Sequence, residues 1–398
     1  MPRIFLTGAS GYIGGVLLTH ILGLPSVEVY ALVRTPEQTE KVTSLGAHPV
    51  QFDLNIDQEQ IAKAVVGNAV TIVVHTADAM NFEPAQMFIQ ALAKVKQQTG
   101  QQVHLIHTSG AKLFSTHAGI PSENVINDTQ DVDVYTVEKT FKSPHELRDR
   151  ARCTNLSVID LSESLDVRSY ILVPPMVYGP GEGFGNKISI QFVAIVRIGA
   201  ALQYLPQIPA DDETWALCHL QDLISLYMVL LKSITANSNP PSGKQGYYFA
   251  ENGIFSWKVL YGDIASRLAS LGYLKGPHTE GQITLAKVTE EDIQRAGEVL
   301  GVPPAFVPVS VAGKCAIRGD NGRKLGWQPK FGVEHLMSVV AEEVNFIIKE
   351  DKLRPVDKFP LPLGTGSYIA PYQRAFGRRS HFCHFFLLDF LASLHLPL

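Results

Sequence analysis

Three glycines near the start of the chain are spaced as a phosphate-binding turn requires. Gly8, Gly11 and Gly14 lie in TGASGYIG, directly after the mostly apolar run PRIFL. Gly8 permits a tight turn, Gly11 lets backbone amides approach a pyrophosphate, and Gly14 lets a helix pack closely on the preceding strand. The first amides of that helix, at the positive end of its dipole, would bind phosphate oxygens. The other candidate cofactor-binding residues of this turn are Ser10, Tyr12 and Ile13.

The elements that must position these glycines follow in the expected order. Residues 3–7 have the composition of a buried strand, Gly14 opens a helical pattern, and residues 27–34 form a second apolar run. Strand, glycine turn, helix and strand within about 35 residues predict an α/β fold with a doubly wound parallel (Rossmann-type) sheet that binds a dinucleotide. Further strands are predicted at 48–55, 69–78 and 103–110, and an amphipathic helix at 84–98.

The end of the second strand indicates which dinucleotide is bound. An NAD site usually has an acidic residue about 20 positions after the last glycine, where it holds the ribose hydroxyls. This chain has Arg34 there, with no acid adjacent. A guanidinium suits a 2′-phosphate, so the sequence favours NADP over NAD.

Composition limits the class of protein. The net charge of −4, without a long run of one sign, excludes a strongly basic nucleic-acid surface. Four scattered cysteines without a paired spacing suggest reduced thiols, and no signal peptide precedes the first strand, so a cytoplasmic location is expected. The apolar segment 381–398 is shorter than the roughly 20 clean apolar residues of a membrane span. The sequence therefore favours a small-molecule substrate over nucleic acid or membrane.

Several motifs together resemble the extended short-chain dehydrogenase/reductase superfamily, in its NAD-dependent epimerase/dehydratase-like branch. The matching segments are TGASGYIGG, FDL (52–54), HTA (75–77), HTSG (107–110), VPPMVYGPG (173–181), CHLQDL (218–223) and RKLGWQPK (323–330). The resemblance implies an NAD(P)-binding domain over 1–180, completed in part by later residues, and a smaller C-terminal substrate subdomain over 181–350. An irregular, apolar tail is expected over 351–398, and the family resemblance implies a homodimer. The resemblance adds these cofactor-binding residues: Asp53, Leu54, His75, Ala77, Thr108, Pro174 and Val177.

The resemblance also implies a catalytic tyrosine and lysine in a YxxxK pattern at the start of a helix. The lysine lowers the pKa of the phenol, so that the phenol can exchange a proton near neutral pH. Tyr135 and Lys139 in YTVEK are the literal match. However, Pro144 would interrupt their helix, and the family spacing to the proline strand points to His145 instead.

Two interpretations of this segment therefore stay open. In one, Tyr135 and Lys139 are the catalytic pair and an insertion follows them. In the other, the usual pair is replaced: His145 takes the tyrosine position, Asp149 the lysine position, and Gly110 the place of a helpful hydroxyl, with Ser109 next to it.

The sequence predicts an enzyme, an NADP-dependent oxidoreductase or epimerase/dehydratase-like protein that acts on a small carbonyl or alcohol substrate. The alternative is a regulatory protein that binds NAD(P) but has lost the chemistry.

Overall fold

The computed structural model describes residues 1–354, apart from residues 55, 58, 130–132, 142, 144–145 and 276–284, and it describes residues 146–148 by their backbone alone. The predicted site residue His145 and most of the predicted tail over 351–398 therefore lie outside the described residues.

Parallel strands form the central sheet, and short strands form three smaller sheets. The strands are β1 (Arg3–Thr7), β2 (Glu28–Val33), β3 (His48–Gln51), β4 (Ile72–His75), β5 (His104–Thr108), β6 (Ile126–Asn127), β7 (Arg168–Val173), β8 (Met176–Tyr178), β9 (Pro206–Gln207), β10 (Thr214–His219), β11 (Tyr247–Phe249), β12 (Ile254–Ser256), β13 (Ala286–Lys287) and β14 (Ile317–Arg318). The seven-stranded sheet has the order β11-β7-β5-β4-β1-β2-β3. This reversal of strand order beside β1 confirms the predicted doubly wound sheet.

Helices lie on both faces of the large sheet, and further helices pack on one another in the later part of the chain. They are α1 (Tyr12–Leu22), α2 (Pro36–Ser44), α3 (Glu59–Gly67), α4 (Phe82–Thr99), α5 (Val134–Thr140), α6 (Glu146–Ser164), α7 (Gln191–Leu202), α8 (Leu220–Thr235), α9 (Trp257–Ser270), α10 (Glu290–Leu300), α11 (Val307–Val311), α12 (Asp320–Lys324) and α13 (Val333–Glu350). No helix in the described part of the chain is both long enough and apolar enough to cross a membrane.

The alternation of side chains along β1 divides the core into two layers. Ile4 and Leu6 belong to the buried cluster that includes the apolar faces of α1 and α8. Phe5 points to the other face, where its ring centroid lies 5.6 Å from that of Phe88 on α4. Because β1 is buried on both faces, its sequence is a continuous apolar run rather than an alternating one.

The strands predicted from apolar runs at 3–7, 27–34 and 103–110 are confirmed as β1, β2 and β5, to within two residues at each end. The run at 69–78 contains β4, but the strand is shorter, Ile72–His75. The predicted third strand, 48–55, is too long. It ends at Gln51, and after Phe52 the chain turns because the amides of Ile56 and Asp57 donate to the Asp53 carbonyl.

Residues from Met176 onward build a second sheet, and later residues also return to the first. Strand β10 pairs with β8 in parallel and with β12 antiparallel. Strand β11 joins the large sheet by pairing with β7, and helix α8 packs against α1. The glycine turn after β1 thus lies at the edge where the strands of the large sheet end, with the later part of the chain packed beside it.

Candidate cofactor and active site

The first glycine turn has the conformation that its sequence predicts. Gly8 has φ +73°, in the left-handed region that favours glycine, and its carbonyl accepts from the Gly11 amide at 2.8 Å. A Cβ on Gly14 would overlap the Gly8 carbonyl oxygen. Helix α1 begins at Tyr12, so its first amides are directed to the carboxyl edge of the sheet. This arrangement can bind a pyrophosphate.

A second glycine-rich segment, residues 179–187, packs directly on the first turn; we call it the glycine clasp. Its backbone contacts leave no space for side chains, because a Cβ on Gly183 would lie 2.8 Å from Gly15 and one on Gly185 would overlap the Ser10 carbonyl. The amide of Asn186 donates to the same Ser10 carbonyl at 2.9 Å. The clasp therefore holds the first glycine turn in position through its contacts with Ser10 and Gly15. Sequence reasoning identified its YGPG turn but missed the alternating glycines that follow.

Gly179, the first residue of the clasp, connects the start of α1 to helix α13. Its carbonyl accepts from the Tyr12 hydroxyl at 2.5 Å, and its amide donates to the carboxylate of Glu343 on α13. Glu343 is 6% exposed, and burial raises its pKa to about 7 although the Gly179 amide opposes this shift. The position of the glycine turn after β1 thus depends on Glu343, which is 331 residues after Tyr12 in the chain (343 − 12).

The ends of β1 and β4 are joined by hydrogen bonds at the same edge. The Thr7 hydroxyl oxygen accepts from the amides of Thr76 and Ala77 at 3.1 and 3.3 Å, and the Thr76 hydroxyl donates to the Thr7 carbonyl at 2.7 Å. Ala77 is exposed at this edge. His75, in contrast, is fully buried behind the edge, where its ring lies between those of Phe88 and His107. Its side chain supports the edge through Thr7 rather than lining it.

The other predicted cofactor-binding residues near this edge of the sheet differ in burial and in contacts. Thr108 is buried, and its hydroxyl is 2.6 Å from that of Tyr227, so it faces the core. Pro174 is buried and its carbonyl accepts from Ala111, whereas Val177 is half-buried in β8. Leu54 is buried next to Asp53 beyond the end of β3.

Arg34 follows β2 at this edge and is exposed. Its backbone is held on both sides, because its amide donates to Gln38 and its carbonyl accepts from Gln51. Its guanidinium makes no hydrogen bond or ion pair with any residue that the structure describes. A cationic group is therefore available beside the glycine turn.

The predicted pair Tyr135 and Lys139 lies on α5, a short helix separate from α6. The Tyr135 hydroxyl donates to Asp160 at 2.7 Å, and Lys139 Nζ lies 5.7 Å from the Tyr135 ring centroid. Burial, together with the Asp160 carboxylate, raises the pKa of Tyr135 above its ordinary value. This shift is opposite to the one that the YxxxK chemistry needs. Asp149, on α6, forms an ion pair with Arg152 at 2.8 Å.

Two buried polar residues near the end of β5 were missed by sequence reasoning. Glu138 and Asn155 are 1% and 0% exposed and are bonded to each other at 2.8 Å. Asn155 also donates to the hydroxyl of Ser109, directly after β5. The available signal was Glu138 itself, an acid on the buried side of the YTVEK helix.

The comparisons with known proteins agree with this geometry. Residues 8–140 match a family model described as NAD(P)H-binding. Oxidase ucsJ of Acremonium sp. is 25% identical over 295 residues, which cover 70% of this chain and 82% of that protein. The sterol-4-alpha-carboxylate 3-dehydrogenase, decarboxylating, of Dictyostelium discoideum is 23% identical over 184 residues, which cover 45% of this chain and 54% of that protein.

Similar solved structures share the whole fold at low identity. A dTDP-glucose 4,6-dehydratase, DesIV, from Streptomyces venezuelae with NAD bound has a TM-score of 0.59 at 15% identity, covering 88% of this chain and 98% of its own. A UDP-glucuronic acid 4-epimerase from Bacillus cereus, also with NAD, has a TM-score of 0.57 at 13% identity, covering 87% and 99%. Residues 8–140 therefore carry an NAD(P)H-binding domain, and the chain has the doubly wound fold of these dehydratase and epimerase structures.

Proposed function

We propose that this protein is an NADP-dependent oxidoreductase or epimerase/dehydratase-like enzyme that acts on a small carbonyl or alcohol substrate. The observation that carries the NADP preference is the exposed Arg34 guanidinium at the end of β2, without an acidic neighbour in sequence. In this position it would bind a 2′-phosphate, which NAD lacks. The enzymatic assignment is supported by the curated relatives, which are named as an oxidase and a dehydrogenase.

The residues at the edge fit a dinucleotide. The first amides of α1 would bind the pyrophosphate, Arg34 the 2′-phosphate, and the exposed Ala77 would lie beside the bound molecule. A bound nicotinamide supplies hydride chemistry at the carbonyl or alcohol carbon. The protein's own part is to hold the substrate oxygen at the end of β5, where Ser109 provides a hydroxyl. We also propose the cytosol as its location and a homodimer as its assembly, on sequence grounds alone.

The test is a titration with NADPH and with NADH, followed by nicotinamide fluorescence. We expect NADPH to bind more tightly, and Arg34→Ala to weaken NADPH binding roughly tenfold or more while NADH binding changes little. Arg295→Ala, at an exposed arginine of α10, is the matched control and should bind both nucleotides as the wild type does. An equal loss of affinity for NADPH and NADH in Arg34→Ala would contradict a 2′-phosphate site.

A catalytically inactive NAD(P)-binding regulator is the second candidate. It is favoured by one observation, the raised pKa of Tyr135 beside Asp160, because the usual proton exchange near neutral pH needs a tyrosine with a lowered pKa. A panel of small carbonyl and alcohol substrates distinguishes the two candidates. Oxidation of NADPH with any of them supports the enzyme, whereas tight nucleotide binding without turnover across the panel supports the regulator.

A further inference from the structure

A buried row of four polar side chains connects strand β11, through helices α5 and α6, to the residue that follows β5. The Tyr247 hydroxyl donates to Glu138 at 2.6 Å, and Asn155 Nδ2 donates to Glu138 at 2.8 Å and to Ser109 Oγ at 2.8 Å. We call Tyr247, Glu138, Asn155 and Ser109 the polar row. Each member is at most 8% exposed. These hydrogen bonds offset part of the cost of burying the four polar side chains, although Asn155 Oδ1 has no hydrogen-bond partner among the described residues.

The hydrogen-bond directions along the polar row follow from the charge of Glu138. An ionised carboxylate only accepts, so Asn155 must direct its amide nitrogen toward Glu138. That nitrogen has two hydrogens, and the second is donated to Ser109 Oγ. Ser109 therefore accepts from Asn155 and keeps its own hydroxyl hydrogen for another partner. Ser109 directly follows β5, so its hydroxyl lies at the carboxyl end of that strand.

Protonation of Glu138 would disturb this arrangement. Tyr247 and Asn155 both donate to the carboxylate, so an added proton has no acceptor among them unless one of the two turns away. Burial raises the pKa of Glu138 to about 7, while the two hydrogen bonds and the Arg152 charge oppose the shift. Asp133, which caps the helix of Glu138, and Tyr135, on that helix, also raise the pKa of Tyr247. The row thus changes its protonation state near neutral pH.

We propose that Glu138 and Asn155 are positioning residues that direct the Ser109 hydroxyl toward the substrate oxygen. This inference rests on the proposed function, because it requires a substrate at the end of β5. In this proposal Ser109 donates a hydrogen bond that polarises the carbonyl, and Glu138 acts only through Asn155. The ionised row is the competent form, so activity should fall as the pH falls through the titration of Glu138.

The experiment measures the pH profile of kcat/KM for NADPH oxidation with the best substrate of the carbonyl panel. For the wild type we expect an acid limb with a midpoint near neutral pH. Glu138→Gln should lose this limb and lower kcat/KM roughly tenfold to a hundredfold, with the Kd for NADPH unchanged. Tyr247→Phe, which keeps the carboxylate but removes one hydrogen bond that stabilises its charge, should move the midpoint to higher pH. Glu298→Gln, at an exposed position on α10, is the control and should keep the wild-type profile.

A double-mutant cycle separates positioning from a general structural role. If Glu138 acts through Ser109, Glu138→Gln combined with Ser109→Ala should be no slower than Ser109→Ala alone. Additive losses, or an acid limb that persists in Glu138→Gln and does not move in Tyr247→Phe, would overturn the inference while leaving the proposed function intact. Failure of the wild type to turn over any substrate would overturn both.

Discussion

The Thr7 hydroxyl and the His75 imidazole form a hydrogen bond that sets the tautomer of a fully buried histidine. Thr7 Oγ1 lies 2.8 Å from His75 Nδ1, and the same oxygen accepts from the amides of Thr76 and Ala77. Because these amides occupy both lone pairs of the oxygen, its hydrogen is donated to Nδ1. The proton of neutral His75 is therefore on Nε2, and one threonine holds both the strand edge and the histidine.

Replacement of Thr7 by valine tests this relationship. Thr7→Val keeps the shape of the side chain but leaves two amides and one ring nitrogen without their partner. We expect a loss of about 1–3 kcal/mol in the free energy of unfolding, measured by urea denaturation. Thr43→Val, on an exposed face of α2, should stay within about 0.5 kcal/mol of the wild type. Equal urea midpoints for Thr7→Val and the wild type would show that the hydroxyl contributes nothing.

The buried histidines predict how stability changes with pH. Burial lowers the pKa of His75 to about 4 and that of His107 to about 3, whereas an unfolded histidine titrates near 6.5. Between these values the unfolded chain binds more protons than the native protein, so stability falls as the pH falls below about 6.5. Each histidine contributes a slope of about 1.4 kcal/mol per pH unit in this window.

His107→Leu should reduce the dependence of stability on pH by the contribution of one histidine. The measurement is urea denaturation of the variant and the wild type between about pH 7 and about pH 5. The raised pKa values of Glu138 and Glu343 act in the opposite direction, because these groups are more easily ionised when unfolded. The difference between variant and wild type, rather than either slope alone, is therefore the quantity to compare. Identical slopes would mean that His107 is not held neutral in the native protein.

The glycine clasp predicts that cofactor binding depends on residues that need not touch the cofactor. In Gly185→Ala the new Cβ would overlap the Ser10 carbonyl, so the turn between β1 and α1 must shift. We expect the Kd for NADPH to rise roughly tenfold or more. Gly262→Ala, on α9 with open space around its Cβ, should leave the Kd unchanged and raise Tm slightly. An unchanged Kd in Gly185→Ala would mean that the packing of the clasp does not affect NADPH binding.

Tyr135→Phe distinguishes the two sequence interpretations of the YTVEK segment. Since the phenol donates to Asp160 and its pKa is raised, we expect the variant to lose about 1 kcal/mol of stability and to keep NADPH-dependent turnover. Lys139→Met, the matched change at the second position of the motif, should also keep turnover. Loss of turnover in both, with normal nucleotide binding, would instead identify Tyr135 and Lys139 as the catalytic pair.

Local sequence patterns predicted the parts of the fold that local physics determines. The buried run of β1, the turn at Gly8 and the helix after Gly14 are confirmed because each depends on neighbouring residues. The separation of α5 from α6 was also foreseeable, since the sequence predicted an interruption of the helix at Pro144.

The sequence could not predict contacts between distant segments. Tyr135 matched a catalytic motif by spacing, but its hydroxyl meets Asp160, 25 residues away. Glu138 meets Tyr247 across 109 residues, and no local pattern encodes that pair. His75 matched a cofactor motif, yet its burial follows from the packing of α4 on the sheet. Side-chain roles at this edge therefore depend on tertiary packing rather than on motif spacing.

The alternation in the clasp has a consequence for how the gene tolerates change. Gly179, Gly181, Gly183 and Gly185 each face backbone or a buried ring where a methyl group would collide, whereas Pro180 and Glu182 between them are exposed. A saturation-mutagenesis library should therefore be depleted at every second codon from 179 to 185 and permissive at 180 and 182. This alternation would show that substitutions fail because the clasp packs closely on its neighbours. Without the structure, the same intolerance would suggest that these residues are catalytic.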